Sequence, residues 1–141
     1  MQGGAITADL EVWILVIPGR PPNLANARLH HMARYRLCRE YADLTWAKAI
    51  IARGKSPQAT TKRKVEAVVY LSGVPRDSDN LVAGLKSGLD SLGTVRKGKS
   101  GPKAGLIVDD SPEWCDLEVR QERVAHRREE CVIWTITESE P

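Results

Sequence analysis

Two short acidic stretches carry residue types and spacings that chemistry can use: Arg76-Asp77-Ser78-Asp79-Asn80-Leu81 and Ile107-Val108-Asp109-Asp110. In an extended segment, side chains two residues apart point the same way, so Asp77 and Asp79 can converge on one spot. Two carboxylates held that close repel each other, and a hard divalent cation with oxygen ligands relieves the repulsion. The plain alternative is that Asp79 caps a helix while Asp77 stands in solvent, since aspartate is a favoured N-cap. Asp109 and Asp110 close an apolar run, the place where α/β sheets present their ligands. Their plain alternative is an acidic turn before Ser111-Pro112. A third carboxylate from a separate segment would complete a cluster for one or two magnesium ions, which activate water and steady charge in displacement at phosphorus.

The elements that must position these residues follow from periodicity and from glycine and proline punctuation. Residues 11–17 read as a strand, stopped by Pro18-Gly19 and Pro21-Pro22. An Asn-containing loop (Asn23, Asn26) leads to a helix over 30–52, ended by Gly54. On that helix Leu37, Tyr41, Leu44 and Ile51 share one arc and predict the core face, with Arg36 and Arg39 opposite. Residues 64–71 read as a second strand. A second helix spans 80–92, with Leu81, Leu85, Leu89 and Leu92 as its buried seam and Gly93 as its C-cap. Residues 106–108 read as a short strand, and 117–124 and 131–137 as two late strands forming a hairpin with His126 in its turn. The order β-α-β-α-β-β predicts a small mixed α/β sheet carrying two main helices.

At 141 residues the chain has room for one domain across 1–141, with 1–10 and 139–141 as flexible tails and 94–105 as a mobile basic loop. An apolar share of 42% excludes a disordered chain. No apolar run approaches a bilayer span, and residues 1–9 lack the basic start and apolar stretch of a signal peptide. A soluble, cytoplasmic protein with no membrane partner is therefore expected. The cysteines Cys38, Cys115 and Cys131 are odd in number and widely spaced, which argues against a disulfide framework or zinc site. A net charge of +3 permits nucleic-acid binding without arguing for it. Its distribution says more. Positive charge gathers in 28–39, 53–64 and 96–103, while carboxylates bunch at 77–79, 109–118 and the C-terminus, as suits a protein that holds a polyanion around a small acidic site.

Together these features resemble the RusA-type Holliday-junction resolvases. The resemblance rests on Asp77-Ser78-Asp79-Asn80-Leu81 opening a helix, Lys86 on that helix, Leu89-Asp90-Ser91-Leu92 near its end, and Ile107-Val108-Asp109-Asp110-Ser111-Pro112. The first strand, followed by Pro18-Gly19-Arg20-Pro21-Pro22-Asn23 and a basic helix, extends the likeness over about residues 11–138. It implies a magnesium-dependent endodeoxyribonuclease, a homodimer that binds a four-way DNA junction and nicks two opposing strands. The family's essential aspartates map onto Asp77, Asp79 and Asp110 as metal ligands, and its lysine most nearly onto Lys86. In the family that lysine lies four residues after the second aspartate; here Ala83 holds that place and Lys86 lies seven after. Both offsets share a helix face. Arg36, Arg39, Arg76, Arg96, Lys97, Lys99 and Lys103 are the expected DNA contacts. The 94–105 loop, longer than the family's, is either a DNA-contacting arm or a disordered insertion.

Two other function classes compete: a branched-DNA-binding protein that keeps the fold without turnover, and a nuclease acting mainly on flaps and forks. A nucleotide cofactor is not expected. Gly93-Thr94-Val95-Arg96-Lys97-Gly98-Lys99-Ser100 matches the P-loop pattern, but it follows a helix, and Gly101-Pro102 oppose a helix start after it. His30-His31 read as a polar helix start. Trp13, Trp46, Trp114 and Trp134 read mainly as core, with Trp114 also placed to stack at a junction.

Overall fold

The computed structural model describes residues 11–24, 30–95 and 101–139. Its elements are β1 (Val12–Pro18), α1 (His31–Arg53), β2 (Arg63–Leu71), α2 (Ser78–Ser91), β3 (Cys115–Arg123), a 3-10 turn (Arg127–Glu129) and β4 (Cys131–Glu138). The β-α-β-α-β-β order and mixed sheet are those expected from the sequence. The four strands run in the order β1-β4-β2-β3, with β2 and β3 parallel and the other pairs antiparallel.

Alternation along each strand decides which sheet face is covered. Trp13, Leu15 and Ile17 of β1 pair in register with Ile136, Trp134 and Val132 of β4, and these with Val65, Ala67 and Val69 of β2. All nine are buried and form the core with Tyr41 and Ala49 of α1 and Leu81, Leu85 and Leu89 of α2. The α2 seam is the expected one. On the outer face Val12, Ile14 and Val16 are exposed.

The structure corrects the expected hairpin: β4 lies between β1 and β2, while β3 forms the far edge beside β2. Composition explains the exchange. Cys-Val-Ile-Trp-Thr-Ile-Thr suits a central strand, whereas Asp-Leu-Glu-Val-Arg-Gln-Glu-Arg keeps charges for an edge. His126 therefore sits in a β3–β4 connection, exposed, with its N–H donating to Glu129 Oε1 at 2.9 Å.

The α1 core face is also corrected. Its buried residues are Tyr41, Ala42, Thr45 and Ala49, whereas Leu37, Leu44 and Ile51 are exposed, Ile51 by 77%. Small residues let α1 approach α2 closely: a Cβ on Gly88 would lie 2.8 Å from the Tyr41 ring and 3.1 Å from Thr45 Oγ1. The Thr45 hydroxyl is satisfied by donating to the Tyr41 carbonyl at 2.8 Å. Leu37 and Leu44 instead line a cleft of about 450 Å³ against Pro18, Pro21 and Pro22.

The expected strand at 106–108 is absent, although Leu106 and Ile107 are fully buried. The reason lies in its backbone partners. The last four carbonyls of a helix lack partners within it, and this segment supplies donors there. Ala104 N–H donates to Ser91 O at 2.8 Å, and Leu106 and Ile107 N–H donate to Leu92 O at 2.8 and 3.0 Å. Gly93 is not in the left-handed conformation of a C-cap glycine; Leu92 is the cap residue, in right-handed helical geometry.

A buried carboxylate ties the end of β1 to the end of β2. Glu130 accepts from Arg20 Nε at 3.0 Å and Nη2 at 2.6 Å, and from the Ser72 N–H at 3.0 Å and hydroxyl at 2.8 Å. The Arg20 hydrogen bond, against the opposing effect of burial and helped by Ser72, holds its pKa at about 2 rather than 4.5. A depressed folded-state pKa adds stability that is present above 4.5 and is lost as pH falls toward about 2. Urea denaturation followed through that window is expected to show an acid-side loss of stability that flattens in Glu130→Gln.

Close approach at α2 gives a second expectation. A Cβ on Gly84 would stand 2.2 Å from the Pro22 carbonyl oxygen, a backbone atom with little room to yield. Alanine improves helix propensity by about 1 kcal/mol, whereas overpacking costs up to about 3 kcal/mol. Gly84→Ala is expected to destabilise by about 2 kcal/mol, read as a lower urea midpoint. A gain in stability would show that the 19–23 loop does not press on α2.

Candidate functional site

Helix α2 organises the acidic residues. Asp77, with φ −68° and ψ 159°, is its N-cap, and its Oδ1 accepts from the Asn80 N–H at 2.8 Å. Asp79 therefore lies in the first turn, exposed, where the helix dipole favours negative charge. The alternative in which Asp79 caps the helix is corrected: the extended backbone that a cap requires falls at Asp77. Asn80 Nδ2 donates to Asn23 Oδ1 at 3.0 Å, binding the Pro-Pro-Asn loop to the start of α2.

The second half of the same helix meets the other acidic stretch. Lys86 Nζ donates to Asp110 Oδ2 at 2.5 Å and stands 3.6 Å from Asp90 Oδ1. Asp110 reaches this position because 104–108 is fastened on both sides. On one side are the end of α2 and Thr94, whose hydroxyl donates to Val108 O at 2.9 Å. On the other, Ala59 N–H donates to Gly105 O at 2.9 Å and Arg63 Nη1 to Leu106 O at 2.7 Å. Arg63 is itself held 4.2 Å above the Trp13 ring.

Electrostatics at this contact are asymmetric. The Lys86 hydrogen bond lowers the Asp110 pKa to about 2 against partial burial, with help from Asp90. Asp90 moves the other way, raised first by burial and then by its hydrogen bond with Asp110. Lys86 is raised, chiefly by its bond to Asp110. The trio thus holds one firmly ionised carboxylate, one that takes a proton more readily, and an ammonium between them. In the sequence Asp90 stands out only as part of Leu89-Asp90-Ser91-Leu92; its place four residues after Lys86, where helical side chains meet, is the signal that marks it.

The structure brings Lys86 to Asp110 and leaves Asp77 and Asp79 at the start of the helix. Asp79 and Lys86 share a face but lie seven residues apart, about 10 Å along the axis. Among the described residues, no three His, Cys, Asp or Glu side chains are grouped to hold a metal ion. In donor chemistry the residues fit a hard cation: Asp77, Asp79 and Asp110 offer carboxylate oxygens, the first two exposed and the third partly so.

The expected DNA contacts divide. Arg36 is exposed on α1. Arg39 is exposed too, its Nε donating to Asp43 and its Nη1 to the Tyr35 hydroxyl, each at 3.3 Å. Lys103 Nζ donates to the Asp90 carbonyl at 2.9 Å. Arg76 is engaged by the fold. Its guanidinium donates to the carbonyls of Pro22 at 3.1 Å and Pro21 at 2.9 Å, and its backbone exchanges hydrogen bonds with the Gln121 side chain. Burial, then the charge of Arg20, lowers its pKa. Arg96, Lys97 and Lys99 lie outside the described residues.

His30 is the N-cap of α1, its Nδ1 accepting from the Met32 N–H at 3.1 Å, so the polar helix-start reading holds. Trp13 and Trp134 are core, Trp46 packs against it, and Trp114 is half-buried. All three cysteines are free thiols. No family model and no curated protein matches the chain.

The ammonium of Lys86 is the largest cause of Asp110's low pKa. Lys86→Met is therefore expected to shift the Asp110 carboxyl titration upward from about 2, observable by carbon-detected NMR. An unmoved titration would mean that the contact does not persist in solution.

Proposed function

We propose that this chain is a magnesium-dependent, structure-selective endodeoxyribonuclease that resolves four-way DNA junctions by paired nicks in opposing strands, working as a homodimer in the cytoplasm. The observation that carries the reading is the Lys86–Asp110 contact at 2.5 Å. It sets the Asp110 stretch against the same helix that Asp77 caps and whose first turn carries Asp79, with those two aspartates at its other end. Among the described residues no helix is long and apolar enough to cross a membrane.

In this reading Asp77, Asp79 and Asp110 hold the cation. When bound, magnesium supplies a more acidic water and charge neutralisation at the phosphoryl oxygens. The chain's own residues do the rest. Lys86, drawn from its pairing with Asp110, steadies the scissile phosphate or the leaving oxygen. Exposed Arg36 and Arg39 on α1, together with Lys103, hold backbone phosphates without reading sequence, so binding weakens as salt rises.

A second reading, a branched-DNA-binding protein without turnover, is favoured by one observation: Lys86 pairs with Asp110 and Asp90, while Asp77 and Asp79 stay at the start of the helix. Incubating the protein with a synthetic four-way junction in magnesium, against a chelator control, separates the two. Paired symmetric nicks are expected; nicks confined to flap or fork substrates would redirect the reading to those structures, and none on any substrate would leave the binding protein. Asp79→Asn is expected to reduce nicking by at least about 100-fold, the loss of a directly catalytic interaction being worth several kcal/mol. Junction affinity should be retained or tightened, since a negative charge facing phosphate has gone. Normal cutting by this variant would place the metal elsewhere.

A further inference from the structure

A second cleft, of about 460 Å³, opens between the first half of α1 and the last half of α2, with Tyr35, Arg39, Ser87, Asp90 and Lys103 among its walls. Its size falls within the range of small-ligand sites. Three features give it a chemical character. Tyr35 is a large aromatic side chain 60% exposed at the mouth, steadied by the hydrogen bond from Arg39 Nη1 to its hydroxyl. Two cationic side chains, Arg39 and Lys103, line the cleft. Ser87 adds a buried hydroxyl that has no hydrogen-bond partner among the described residues. The cleft is also continuous with the candidate site, because Asp90 forms its wall and stands 3.6 Å from Lys86 Nζ.

We propose that this cleft receives one unpaired nucleotide of a DNA strand, with the base stacked on Tyr35 and the adjoining phosphates held by Arg39 and Lys103. An aromatic face accepts any base, and cations beside it track the backbone; together these form the usual platform for single-stranded nucleic acid. A protein partner would meet the same exposed ring, but Arg39 at that ring and Lys103 elsewhere in the lining favour a polyanion. The inference deepens the nuclease reading and rests on it for its purpose. The branch point of a junction supplies strands that can be unstacked, and a nucleotide seated beside Asp90 brings its neighbouring phosphate toward Lys86 and Asp110.

The test uses the full chain, a short single-stranded oligonucleotide carrying 2-aminopurine, and a chelator so that no cutting can occur. Wild type is expected to bind with quenching of 2-aminopurine by stacking. Tyr35→Phe keeps the ring and should stay within about twofold of wild type, whereas Tyr35→Ala should lose the quenching and weaken binding at least about fivefold. Lys103→Gln should lower the slope of log affinity against log salt by about 0.7, the value of one phosphate contact on a single strand. Far-UV circular dichroism checks that each variant is folded. Failure of wild type to bind, or full affinity and quenching in Tyr35→Ala, overturns the proposal. Because the assay needs neither magnesium nor a junction, Tyr35-dependent quenching by a protein that cuts nothing would sink the nuclease reading and keep the cleft. Junction cutting with unaltered binding by Tyr35→Ala would do the reverse.

Discussion

Where a helix ends, its last carbonyls point at nothing unless donors from elsewhere reach them, and here some of those donors come from the segment that carries Asp110. Gly88 O receives the Ser91 hydroxyl, Leu89 O the Leu92 N–H, Asp90 O the Gly93 N–H and Lys103 Nζ, and Ser91 O the Ala104 N–H. Leu106 and Ile107, fully buried, anchor the same segment in the core. The satisfaction of a helix end thus fixes where two consecutive aspartates emerge. It also explains how a stretch as apolar as Gly-Leu-Ile-Val remains outside the sheet. The N–H groups of Gly105, Leu106 and Ile107 are engaged just past the end of α2, so strand pairing has nothing further to offer them.

The charges of the site follow from that docking. Lys86 meets two partly buried carboxylates, Asp90 and Asp110, and the result is an ion pair between a helix and the coil docked on it. An isolated pair at a protein surface contributes little to stability. This one matters more for position than for energy, since it sets Asp110 against α2 while leaving Asp77 to cap the helix and Asp79 exposed. The proposed chemistry asks these groups to act together around a cation, and the proposed nucleotide cleft meets them through Asp90. Both proposals converge on the exposed side of one helix.

The opposite half of the molecule does different work. Arg76, next to Asp77 in the chain, spends its guanidinium on the Pro21 and Pro22 carbonyls, and Glu130 gathers Arg20 and Ser72. These contacts press the Pro-Gly-Arg-Pro-Pro-Asn loop onto α2, where Gly84 makes room for the Pro22 carbonyl. A basic residue beside an acidic motif thus holds the fold rather than presenting itself to solvent.

The sequence by itself determined the element order, the α2 seam of Leu81, Leu85 and Leu89, the strand alternation that buries Trp13, Trp134 and Val65, and the opening of a helix at the Asp77–Asn80 motif. Those features are local: they depend on periods of two or 3.6 residues and on caps, which neighbouring residues encode. What only the tertiary structure decided depends on partners far along the chain. The insertion of β4 between β1 and β2, the choice of Tyr41, Ala42, Thr45 and Ala49 over Leu37, Leu44 and Ile51, the commitment of Arg76, and the pairing of Lys86 with Asp110 and Asp90 all belong here. A leucine's period says that it can be buried, but the small residues of the facing helix decide which side approaches. A lysine's place says which face it occupies, but the segment that docks on that face decides which carboxylate it meets.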